Sequence, residues 1–279
     1  PNVILVAGKI SDGSSALGSN QTFTSTTDGA APTVTGVTST TANGSYKQGD
    51  VIDITVVFSE VVNAMGNARL TLETGSSDAV VNLDNGSGSN TLEFPYTIGS
   101  GETSGDLDYA AINALILHGG GSTIQDASGN DATLTLATPG ATNSLGANKA
   151  LVIDTTVPTV TGVNSTTANG SYKQGDVIAI TVGFSEVVNV TGTPQITLET
   201  GSSDAVVNYS SGSGSNTLTF NYSIGSGETS SDLDYEATSS LALNSGTIKD
   251  AALNAATLTL AAPGATNSLG ANKALVIDT

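Results

Sequence analysis

The residues of this sequence whose types and spacing could do chemistry are carboxylates. Asp106 and Asp108 form an Asp-x-Asp pair, and Asp154 opens Asp154-Thr-Thr-Val-Pro158. Glu186 follows Phe184-Ser185, and Asp250 opens Asp250-Ala-Ala-Leu-Asn254. Carboxylate oxygens are hard donors, of which calcium gathers roughly six to eight. The chain contains two successive copies of one unit, set out below. If strands alternate direction within each copy, Asp106, Asp108 and Asp154 lie at the pole of the first that faces the second. Glu186 and Asp250 then lie at the facing pole of the second. Five carboxylates so gathered repel one another without a cation, so this placement predicts a calcium site between the copies that stiffens the joint when filled. The same Asp residues can also be read as turn caps that keep an exposed surface soluble. No complete EF-hand pattern is present.

Other chemistries fit less well. A carboxylate pair could serve glycoside hydrolysis, but the chain has no Trp and few aromatic residues to hold a sugar. His118 is the single histidine and its counterpart in the second copy is Asn244, so the two copies do not share a histidine role. With no Cys there is no disulfide, thiolate nucleophile or cysteine metal site. Lys47 and Lys149, with their copies Lys173 and Lys273, could form Lys–Asn isopeptide crosslinks if buried beside a carboxylate. Tyr46, Tyr96 and Tyr109 could form a small sugar platform, or simply pack in the core. The expectation is a chain that does not catalyse.

The elements that must position these residues come from a repeat. Leu72–Asn82 (LETGSSDAVVN) recurs unchanged as Leu198–Asn208, and Pro139–Asp154 returns intact as Pro263–Asp278. Solenoid units of about 20–50 residues cannot bury a core alone, whereas this unit is the size of a domain. The expected division is 29–154 and 155–279, two modules joined at Asp154–Pro158, where Pro158 holds the joint extended. Residues 1–28 read either as the remnant of a preceding module or as a β-rich N-terminal arm, because Val3–Val6 is strongly strand-forming. As an arm it could pair with the sheet edge of another copy.

Within a copy, Ile52, Ile54, Val56 and Phe58 alternate with neighbours on the other face, as do Leu92, Phe94, Tyr96 and Ile98. Shorter strand-like runs are Thr33–Val37, Arg69–Thr74, Ala79–Leu83, Leu115–Leu117, Ala132–Ala137 and Ala150–Ile153, separated by Gly/Asn/Ser/Asp turns. No segment sustains a helical period. The fold expected is all-β: tandem Ig-like antiparallel sandwiches of about seven to eight strands each.

Charge narrows the partners. Lys and Arg number 7 against 25 Asp and Glu, a formal net charge of −18, which disfavours nucleic acid and anionic membranes and favours cations. No apolar run approaches the ~20 residues of a membrane span.

Phe58-Ser-Glu60-Val-Val, Leu70-Thr-Leu72-Glu-Thr-Gly75, Asp106-Leu-Asp108, Ile124-x-Asp126-x-x-Gly129-Asn130 and Val152-Ile-Asp154-Thr-Thr-x-Pro158 together resemble bacterial Ig-like repeats of large cell-surface proteins and adhesins. The resemblance covers both copies. It implies a stalk or extender role, an extracellular location on the bacterial surface, neighbouring modules of the same chain as partners, and calcium at the joints. A filament or matrix subunit assembled through the N-terminal arm is the alternative. The second copy departs from the pattern where Leu253 replaces Gly129, which puts the turn there in question.

Overall fold

The computed structural model describes residues 3–4, 22–23 and 28–279. Val3–Ile4 pairs antiparallel with Thr22–Phe23. The expectation of a module remnant or a free arm falls almost wholly outside the described residues.

The chain is all-β, with several antiparallel sheets, as a sandwich requires. The helices among the described residues are two single turns, Leu145–Asn148 and Leu269–Asn272, each capped by a buried serine, Ser144 or Ser268. None is long and apolar enough to cross a membrane.

The alternation read in the sequence sets the layers. Ile52, Ile54, Val56 and Phe58 on one strand, and Leu92, Phe94, Tyr96 and Ile98 on its partner, are all buried. The first four belong to Val51–Leu72, a strand long enough to serve two sheets. Its first part lies between Val34–Ser39 and Ser89–Thr97. Its second part lies between Ala79–Asn82 and Leu115–Gln125. The pairing slips between Val57 and Val62, and the slip turns the strand from one sheet into the other.

The second half repeats the plan with one difference. Val177–Thr191 ends before Gly192 and Pro194, and the run resumes as Gln195–Leu198. Pro194 stands where the first half has Ala68, and proline cannot donate to a continuous ladder. Each half holds its own buried cluster, one drawn from Val37 to Ile153 and the other from Val163 to Ile277.

Two features differ from the sequence reading. Ala132–Ala137 is not a strand. Its amides at Ala132, Thr133 and Leu136 donate to Ile124, Pro32 and Ile112, three separate partners with no ladder. Strand direction also fails to alternate throughout: Leu151–Asp154 runs parallel to Gly44–Tyr46, a pairing that short polar run did not announce.

Candidate metal centre

Asp154 is the last residue of the strand Leu151–Asp154, which fixes where its backbone leaves the first half. Beyond it the joint is tied on both sides. The Thr155 hydroxyl donates to the Glu102 carbonyl at 3.0 Å, holding the chain to the first half. Towards the second half, Thr159 N–H donates to Ser185 Oγ at 3.0 Å and Thr257 N–H donates to the Pro158 carbonyl at 2.8 Å. Pro158 itself is buried.

Glu186 follows Ser185 within the stretch from Gly183 to Val188, where the strand's pairing slips. Such a bulge re-aims side chains. Asp250 directly follows the strand Thr247–Lys249 and is buried. Its two carboxylate oxygens accept from Asn254 N–H and from the Asn254 side-chain amide, each at 2.8 Å. That amide also donates to the Asp154 carbonyl at 2.8 Å.

These elements bring Asp154, Glu186 and Asp250 together, each offering a carboxylate oxygen within 4.8 Å of the other two. Glu186 Oε1 is buried and accepts no hydrogen bond. Desolvation by burial pushes the Glu186 carboxyl above its ordinary value, and the charges of Asp154 and Asp250 push it further. Among the described residues the one ion pair is Lys47–Asp50, so no lysine or arginine neutralises the three acids. Three hard oxygens, one of them buried without a donor, fit a divalent cation of the calcium type.

Two of the five expected ligands do not join the centre. Asp106 and Asp108 follow Thr103–Ser104, which runs antiparallel to Leu151–Asp154, with Thr103 opposite Asp154 and Ser104 opposite Ile153. Leu107 N–H reaches the Leu151 carbonyl, so the two acids lie at the strand's far end from Asp154. At about 3.3 Å per residue the separation is roughly 10 Å. Simple alternation of strand direction missed this because it did not contain the returning segment 103–107. Asp108 instead accepts from Tyr109 N–H and Gly140 N–H at 2.9 Å each, a turn-capping role.

The structure adds a second triad that the initial ligand set did not name. Asp28, Glu60 and Asp126 offer oxygens within the same mutual distance. Asp126 accepts from Ser128 N–H, Asn130 N–H and the Asn130 amide, and that amide also donates to the Asp28 and Ala30 carbonyls. Burial raises the Asp126 carboxyl, but hydrogen bonds from Asn130, Ser128 and Gly129 outweigh it and leave the group below its ordinary value. Glu60 is raised, by desolvation first and then by Asp28 and Asp126. Applying the repeat offset to the joint acids would have found this triad, because Asp28, Glu60 and Asp126 are the counterparts of Asp154, Glu186 and Asp250.

The remaining candidates have plain structural roles. Tyr96 and Tyr109 are buried, and their hydroxyls donate to Glu102 and to the Ala137 carbonyl, so they form no sugar platform. Lys47, Lys149, Lys173 and Lys273 are not buried, which removes the setting an isopeptide bond requires. His118 is exposed within the strand Leu115–Gln125, opposite Asn67. Comparison of the chain with protein-family models and with curated proteins gives no match.

Proposed function

We propose that the chain is a pair of tandem Ig-like sandwich modules that act as a non-catalytic extender of a bacterial cell-surface adhesin, with calcium stiffening the joint. Asp154, Glu186 and Asp250 would hold the ion. The observation that carries the reading is the buried, donor-free Glu186 Oε1 between two further carboxylates at the junction of two separately packed halves. Three carboxylates leave room in a calcium shell for carbonyl and water oxygens. The repeat supports the mechanical part: a unit able to fold by itself can be copied to gain length, provided the joint resists bending.

Filling the centre would replace mutual repulsion by shared attraction to one cation and fix the direction in which the second half leaves the first. Extracellular modules of this kind bind at about 10⁻⁴–10⁻³ M. Small-angle scattering of the chain tests the extender reading. The expected result is one elongated particle whose distance distribution sharpens on adding calcium. A compact particle, unchanged by calcium, contradicts it.

A further inference from the structure

One sheet face of the first half carries chemistry that the second half lacks. Along the later part of Val51–Leu72, Ala68, Leu70 and Leu72 are buried, so Met65, Asn67, Arg69 and Thr71 point outward. Register places Arg69 between Asn82 and Ile116, Asn67 opposite His118, and Thr71 opposite Val80. Met65 is 68% exposed, Val80 54% and Ile116 44%. The chain's single methionine, arginine and histidine therefore share one face.

The second half shows that the fold does not require this. At the matching outward positions it has Thr191, Thr193, Gln195, Ala242 and Asn244. The inward positions stay apolar, with Ala64 and Leu70 answered by Val190 and Ile196. The Arg69 Nε donates to Asn82 Oδ1 at 3.0 Å, and among the described residues no carboxylate lies within ion-pair distance of its guanidinium. A cation flanked by aliphatic side chains suits a surface that places a carboxylate beside an aliphatic residue, and Arg and Met are both enriched at interfaces.

The chain itself offers such a surface. An open groove in the second half is lined by Asp204, Val206 and Glu228, with Val206 57% exposed and Asp204 exposed. Its counterpart in the first half is lined by Asp78, Val80 and Glu102, and shares Val80 with the arginine face, so a partner on that face covers it. We propose that the Met65–Arg69–Ile116 face binds the Asp204–Val206 groove of a second copy of this chain. The contact joins two different surfaces, so it leaves a free face and a free groove at either end and can propagate.

Sedimentation velocity of the whole chain, in chelator so that the calcium centre plays no part, tests the proposal. The expected result, in about 0.15 M salt so that the net charge of −18 on each copy is screened, is concentration-dependent association near about 10⁻⁴ M. Replacing the face by the second half's residues, M65T with R69Q and I116A, should weaken association at least about tenfold with little change in melting temperature. Asp204→Asn should weaken it from the groove side, and Arg69→Gln alone serves if the triple variant melts early. A chain that stays monomeric at about 10⁻⁴ M in about 0.15 M salt overturns the proposal. So does association that either set of variants leaves unchanged.

Discussion

The side-chain amide of Asn254 donates to the main-chain carbonyl of Asp154, 100 residues away in sequence, at 2.8 Å. The same amide holds the Asp250 carboxylate, so one side chain sets both an acid of the centre and the path of the joint. Asn130 does this in the first half, reaching the Asp28 and Ala30 carbonyls while it holds Asp126.

Asn254→Ala removes both bonds and leaves a buried carboxylate oxygen short of a donor. It should destabilise the chain by about 1–3 kcal/mol. Urea unfolding of the variant beside the native chain measures this, and Asn130→Ala should show a comparable loss.

Leu253 has φ 69°, where the first half has Gly129 at φ 86°. A left-handed residue other than glycine costs roughly 1–2 kcal/mol, and Leu253 is 59% exposed, so little packing offsets it. Leu253→Gly should raise stability by up to about 1 kcal/mol after the added freedom of the unfolded chain is counted. Thermal melting of the variant checks it. A fall in melting temperature would show that the leucine contributes packing there.

Much of this fold was legible because the strands are half-buried. The alternation at Ile52–Phe58 and Leu92–Ile98 is a direct record of which face meets the core. Gly44–Tyr46 carries no such record, since only three residues pair and the pairing partner lies beyond Lys149. The parallel contact with Leu151–Asp154 therefore had no sequence signal. The same gap explains Asp106 and Asp108, which strand direction alone places at the joint. Asp154, Glu186 and Asp250 were recoverable because each sits at a strand end or bulge that the hydrophobic pattern marks.

The acids also make stability depend on pH. Glu186 is raised above its ordinary 4.5 by burial and by Asp154 and Asp250, so its share of stability is fully present below that value. It is lost as pH rises through the higher folded value. In chelator, Glu186→Gln should therefore melt higher than the native chain at neutral pH, with the gap closing below about pH 4 as the native carboxyl protonates. Melting curves across that range measure the gap, and a constant difference at all pH values would contradict the assignment.

Tyr109 and Tyr235 are pushed up to about 12, by burial first and then by Asp108 and Asp234. Tyr96 and Tyr222 are raised further, by burial and by the neighbouring Glu102 and Glu228. Their contribution to stability is present below the ordinary phenol value of 10.0 and is lost as pH climbs through the folded values. Ultraviolet titration should show these four staying protonated at pH 10–11 in the folded chain, and ionising there once urea is added. All seven tyrosines titrating together near pH 10 would contradict the packing described.

Calorimetric titration of the chain with calcium, beside Glu186→Gln, tests the calcium-stiffened joint. The expected result is binding at about 10⁻⁴–10⁻³ M. At calcium ten times above that constant, the stabilisation should be about 1.4 kcal/mol for each filled site. Glu186→Gln should lose the joint site while the Asp28–Glu60–Asp126 triad keeps its own. No heat and no melting shift in the native chain, or binding unchanged by Glu186→Gln, would contradict a calcium-stiffened joint.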